Sequence, residues 1–236
     1  MASSNIDEIK IDLAETCRIL ANEGLVDAFG HGSVRIEGTD RFLISPYMSP
    51  ALVQPDDIIT MNLANEKLEG EKSPNSETWI HSCIYRKRPH VIAVLHIHPF
   101  MVRVLTIAGQ TVLPTDRINF RFNGIPTFTN PESIRSEELG IELADTLGSH
   151  RAVLQRGHGA VIVGNNLRAV CMDALYLESA AKMQVWASML GPLQVLSEEE
   201  LKRLETKSWD RDSAMRNKLT QRAWEYYTAK LHGKLD

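Results

Sequence analysis

Residues 91–100, Val-Ile-Ala-Val-Leu-His-Ile-His-Pro-Phe, constrain this chain more than any other stretch. An apolar run of this length reads as a buried strand. His96 and His98 at its end stand two apart, so on an extended backbone they project to the same face. Pro99 bars the strand from continuing with a full hydrogen-bond ladder, which puts the pair at a strand end, where functional residues of α/β sheets are often found. Two readings follow: a pair of buried, hydrogen-bonded imidazoles, or two metal ligands, since neutral imidazole is a common one.

At 236 residues the chain is long enough for one large domain with a substantial core. We expect a single domain over 1–236, with 193–236, after Pro192, as a C-terminal helical extension. The formal net charge is −4 and the Lys and Arg are scattered, which argues against nucleic acid or an anionic membrane and for a small-molecule partner. Cys17, Cys83 and Cys171 form no CxxC and no disulfide pattern, so each reads as a buried apolar residue. The first residues carry no basic, apolar leader, and no window approaches 18 uninterrupted apolar residues. A soluble, cytoplasmic protein is expected.

Ile9, Leu13, Cys17 and Leu20 predict an amphipathic helix over 6–23. Residues 33–37 and 41–45 read as a hairpin about Gly38-Thr-Asp40, 57–62 as a strand, and 63–74 as a polar hairpin or loop. Trp79, Ile80, Cys83 and Ile84 predict a helix over 76–85, capped by Asn75 or Ser76, with Glu77 in its first turn. A helix is expected over 100–107, an irregular loop over 109–130, a helix from Pro131 or Glu132 to Leu147, and strands at 152–154 and 160–163. A long helix over 167–190, a short acidic one opening at Ser197 and a last one over 213–232 complete the chain.

The two strands at 152–154 and 160–163 flank Arg156-Gly-His-Gly159, so a third histidine, His158, sits in a glycine turn. Its flanking glycines allow close backbone approach and leave the imidazole unobstructed, as a third ligand from a separate strand requires; they equally serve a bare turn. Three histidines on one ion leave positions open for water or substrate. Glu77 could be a fourth ligand at rest and an acid/base group in turnover, or merely an acidic residue favoured at a helix N-terminus by the macrodipole.

The combination is the specific feature. Ser76-Glu77, His96-x-His98 and Gly-His158-Gly, supported by Gly-x-Gly-Ser-Val-Arg35, Leu-Ile-Ser-Pro46 and Ile-His-Ser-Cys-Ile-Tyr-Arg-Lys-Arg-Pro89, resemble the class II aldolase/adducin family over roughly residues 8–190. The resemblance implies a three-layer α/β/α sandwich around a mainly antiparallel sheet, and a homotetramer with active sites at subunit interfaces. It also implies one divalent metal ion (Zn, Mn, Co or Fe) held by His96, His98 and His158, with Glu77 as proton-transfer group.

The substrate class is read from where the chain departs from the family's sugar-phosphate aldolases. Their phosphate-binding Gly-Asn, Thr-Gly and Ser-Ser motifs correspond here to Gly30-His31, Tyr47-Met48 and Asn75-Ser76. Two large side chains in place of Thr-Gly remove both room and a donor for a compact dianion. What remains resembles the family's branch that decarboxylates hydroxylated aromatic or pyridine acids, and a metal-dependent lyase of that kind is the expectation. On it, His31, Ser45, Tyr47, Asn75 and Ser76 face the substrate. Arg117 and Arg121 from the long loop are candidate carboxylate clamps, though ordinary solvated surface charge explains them as well. The alternatives are an aldolase or epimerase on a sugar phosphate, a non-haem iron oxygenase on an aryl-keto acid, and a metal-free adducin-like scaffold.

Overall fold

A computed structural model of the chain describes residues 6–207 and 213–235. Eight strands form one sheet: β1 (His31–Arg35), β2 (Arg41–Ile44), β3 (Ile59–Asn62), β4 (Lys67–Glu69), β5 (Ala93–Ile97), β6 (Thr127–Phe128), β7 (Ala152–Gln155) and β8 (Gly159–Gly164). Their order is β4-β3-β2-β1-β5-β8-β7-β6, antiparallel throughout except for the β6–β7 pair. The histidine strand β5 therefore lies between β1 and β8. In that register His31 sits directly opposite His96, and Ile97 opposite Ala160.

Seven helices are described: α1 (Ile6–Asn22), α2 (Trp79–Lys87), α3 (Phe100–Ile107), α4 (Glu137–Leu147), α5 (Leu167–Ser188), α6 (Glu198–Lys207) and α7 (Ser213–Leu231). Strand side chains alternate between the two faces of the sheet, so each face needs its own cover. Ala93, Leu95 and Ile97 pack with Leu13 and Cys17 of α1, Val102 of α3, Cys171 and Leu175 of α5 and Trp224 of α7. Val94, Phe42, Ile59 and Val161 pack on the other face with Ile80, Ile84 and Tyr85 of α2 and Leu143 of α4. The result is a three-layer α/β/α sandwich around a mainly antiparallel sheet.

Among the differences from the expectations, three bear on the surroundings of the histidine strand. Helix α2 starts at Trp79, so Glu77 lies in the turn Ser76–Thr78 ahead of it and Thr78 precedes the helix without a side-chain cap. Helix α4 starts at Glu137, because Ser136 caps it by accepting from Leu139 N–H, and the backbone before it serves Glu77 instead. Within 109–130 a two-residue strand, β6, adds in parallel to the edge strand β7, which the irregular composition gave no reason to expect.

Candidate metal centre

Where β5 ends, His98 N–H donates to Leu25 O (2.8 Å), and α3 begins after Pro99 with the N–H groups of Met101 and Val102 bonded to the Glu178 carboxylate of α5 at 3.0–3.2 Å. The chain is thereby pinned on both sides of the histidine pair. Gly30 is in the left-handed region (φ +113°), and a Cβ there would meet Val26 at 2.5 Å and His96 O at 3.2 Å, so glycine lets β1 enter beside β5.

His96, His98 and His158 converge. Their potential ligand atoms lie within 4.8 Å of one another, and the Nε2 atoms of His96 and His98 are 3.0 Å apart. The Glu77 Oε2 atom is 3.6 Å from His96 Nε2, while Oε1 accepts from Ile134 N–H at 2.9 Å, which fixes the carboxylate's orientation. Burial first, and then the neighbouring histidines, push the protonation of His96 well below the ordinary imidazole range. His98 is pushed down to about 4 by burial and then by His158. His96 is therefore neutral at pH 7, and its contact with Glu77 is not an ion pair. Three imidazoles meeting at one point, with a carboxylate beside them, are a donor set that fits a divalent cation and leaves coordination positions open.

A cavity of about 230 Å³ opens beside this cluster, lined in part by Phe29, His31, Tyr47, Met48, Asn75, Ser76, Glu77 and His98. Tyr47 is 64% exposed and stands at the mouth with Phe29. Asn75 Nδ2 donates to Ser45 O (2.7 Å), leaving its carbonyl oxygen for the cavity. No Lys or Arg is among the described lining residues.

Three residues expected at the substrate lie elsewhere in this chain. Ser45 is buried, its hydroxyl accepting from Gly32 N–H at 3.1 Å, so it braces the β1–β2 ladder. Arg121 is buried against Asp173 of α5 (2.9 Å) and faces a separate cavity of about 460 Å³, while Arg117 lines a third one with Tyr226 and Tyr227. The sequence offered no sign of this, because Asp173 is 52 residues away and its pairing is purely tertiary.

One neighbour went unnoticed in the sequence. His81, fully buried in α2, has its Nε2 2.7 Å from His31 Nδ1, and burial pushes its protonation down to about 3. A histidine on a helix face that otherwise packs into the core reads as core, and what sets it apart is tertiary: its polar contact with His31 and the 4.9 Å between their ring centroids.

Residues 11–185 match the family described as class II aldolase and adducin N-terminal domain. The chain belongs to this family. A 3,4-dihydroxyphthalate decarboxylase of Arthrobacter keyseri is 27% identical over 195 residues, covering 76% of this chain and 78% of that protein. A 5-deoxy-D-ribulose 1-phosphate aldolase of Bacillus thuringiensis serovar kurstaki is also 27% identical, over 194 residues, covering 80% and 89%. An aldolase II superfamily protein from Pseudomonas syringae shares the fold with a TM-score of 0.85 over 99% of this chain and 95% of its own, at 19% identity. Both named activities break carbon–carbon bonds, and equal identity to each leaves the reaction to be argued from the site.

Proposed function

We propose that this chain is a divalent-metal-dependent carbon–carbon lyase that decarboxylates a hydroxylated aromatic or heteroaromatic acid. The observation that carries the reading is the cavity beside the histidines, where Phe29 and the Tyr47-Met48 pair, which stands in place of the aldolases' Thr-Gly, supply large side chains. A phosphate dianion needs several converging donors. A flat ring bearing a hydroxyl and a carboxylate needs apolar walls and a cation, and a volume of about 230 Å³ suits a single ring. The similarity to a dihydroxyphthalate decarboxylase supports this, and that to a sugar-phosphate aldolase makes an aldolase the second reading.

His96, His98 and His158 would hold the ion, and burial leaves His96 and His98 presenting neutral nitrogens without a protonation cost at pH 7. A divalent ion bound there would supply Lewis acidity that stabilises the negative charge left on the substrate by C–C cleavage. Glu77 holds the proton to be returned to the ring carbon at Oε2, since Oε1 is tied to Ile134 N–H. Phe29 and Tyr47 flank the ring and exclude water from one side.

We also read the chain as one unit with its C-terminal helices, cytoplasmic, and a homotetramer in which a neighbouring subunit closes the cavity. Phe29 and Tyr47, more than 60% exposed at the mouth, and Trp186, Met189 and Leu190 at the end of α5 are the apolar surface such contacts would cover. The three buried free cysteines suit a reducing compartment. Light scattering on the purified protein should give four times the chain mass; a monomer removes the tetramer.

The functional test is carbon dioxide release from hydroxybenzoic, dihydroxyphthalic and hydroxypyridine carboxylic acids with Zn²⁺, Mn²⁺, Co²⁺ or Fe²⁺ added. Glu77→Gln should keep the metal and lose about 10²-fold or more in kcat. Turnover of a sugar phosphate alongside silence on every acid would replace this reading with the aldolase.

A further inference from the structure

From the cavity inward runs a line of buried polar groups that the proposed reaction does not use. His31 Nδ1 meets His81 Nε2 (2.7 Å), His81 Nδ1 meets Ser33 Oγ (2.6 Å), Ser33 Oγ meets Tyr85 Oη (2.7 Å), and Tyr85 Oη donates to the main-chain carbonyl of Ile92 (3.2 Å). Ser33, His81 and Tyr85 are each no more than 1% exposed. At the cavity end, His31 Nε2 is buried with no protein partner among the described residues. The line comes from two elements only: His31 and Ser33 are on one face of β1, and His81 and Tyr85 are one helical turn apart on α2.

The end of the line decides its direction. A carbonyl only accepts, so Tyr85 O–H points at Ile92; Ser33 O–H then donates to Tyr85, His81 Nδ1–H to Ser33, and His31 Nδ1–H to His81. Every donor is satisfied, with four hydrogen bonds made, and only the His31 Nε2 acceptor is left open. Reversing the line makes only three, takes Tyr85 away from Ile92 and leaves a buried N–H on His31 unpaired, and an unmet buried donor costs about 1–3 kcal/mol. The 2.7 Å contact between the two rings needs one nitrogen to donate and the other to accept, so the two imidazoles cannot both be doubly protonated there.

We infer that Ser33, His81 and Tyr85 are positioning residues that fix His31 as its Nδ1–H tautomer, so that a bare Nε2 lone pair faces the cavity and selects ligands carrying a hydroxyl donor. His31 lines the cavity with Glu77 and lies 4.9 Å, centroid to centroid, from His96, so the hydroxyl it accepts from stands beside the metal ligands. A phosphate or carboxylate oxygen, unprotonated at neutral pH, would face that lone pair with another, so the group placed against His31 is a hydroxyl, which on the reading above is that of the ring. The tautomer follows from the hydrogen-bond line alone; the hydroxyl preference rests on the hydroxyaromatic reading above.

The test is long-range ¹H–¹⁵N correlation NMR on the zinc-loaded, full-length protein labelled at histidine, with His31 assigned by comparison with His31→Gln. His31 should show a protonated Nδ1 and a bare Nε2. Tyr85→Phe removes the acceptor that orients Ser33 and should move His31 toward the Nε2–H form while zinc content stays unchanged; Ser33→Ala breaks the line nearer the site and should also release the preference. Catechol binding should weaken about tenfold in Tyr85→Phe, the effect of one mismatched polar contact, while binding of oxalate, which has no hydroxyl, should not weaken. A wild-type His31 protonated at Nε2, a tautomer indifferent to Tyr85→Phe, equal weakening of catechol and oxalate, or loss of zinc from His31→Gln would each overturn the inference. None of these measurements uses turnover, so a silent decarboxylase assay would remove the proposed reaction without touching the tautomer.

Discussion

A Cβ on Gly159 would stand 2.1 Å from the carbonyl oxygen of Ile97 and 3.1 Å from His98 Cδ2. Gly159 opens β8 immediately after His158, so the residue that lets β8 close on β5 also sets the third histidine against the first two. Gly159→Ala must push the strands apart at that point. It should lower stability by about 1–3 kcal/mol, as overpacking does, and reduce zinc content, read from urea midpoints and metal analysis of the same preparation. The His-x-His spacing, the glycine-flanked His158 and the Ser-Glu pair were legible because each is local and chemically distinctive. Ser45, Arg117 and Arg121 were not. Ser45 braces β1 through Gly32, and Arg121 answers to Asp173, so what their side chains meet is set by tertiary packing that neighbouring residues do not encode.

The junction between β5 and α3 holds the metal-ligand pair in place, and one side chain from another helix secures it. Glu178 of α5 accepts from Met101 N–H and Val102 N–H, doing for α3 what a cap residue would, since Pro99 offers no side-chain oxygen. Glu178→Ala should therefore cost about 1–2 kcal/mol, with hydrogen exchange accelerated at Met101 and Val102 and little changed in β1 or α2. Elements with strong periodicity or a clear stop were legible in the sequence: α1 through Leu13, Cys17 and Leu20, the β1–β2 hairpin about its turn, and α5 up to Gly191. The starts of α2 and α4 were not, because both depend on Glu77. Its carboxylate takes the Ile134 N–H, which keeps the segment before Ser136 out of helix and leaves Glu77 in a turn ahead of Trp79. Strand β6 escaped notice because two residues carry no period; it exists because β7 presents an open edge.

Across the whole molecule the fold keeps a group of histidines uncharged inside it. His31, His81, His96 and His98 all have protonation pushed below the ordinary value of 6.5, burial being the first cause in each, with His98 at about 4 and His81 at about 3. Below pH 6.5 the unfolded chain takes up protons that the folded chain refuses, so stability falls as pH falls. For His98 the loss runs from about pH 6.5 to about 4, and for His81 to about 3; above pH 6.5 both states are neutral at these sites and their contribution is flat. Each such histidine is worth about 1 kcal/mol per pH unit in the window. Urea denaturation of the chelator-treated protein should give nearly constant stability between pH 7.5 and 8.5 and a steep decline from pH 6.5 to 5. His81→Gln, which removes one titrating group and leaves the proposed metal ligands in place, should make that decline shallower by about 1 kcal/mol per pH unit. An unchanged slope would mean that the imidazole takes up its proton in the folded state, which the line from His31 to Tyr85 does not allow.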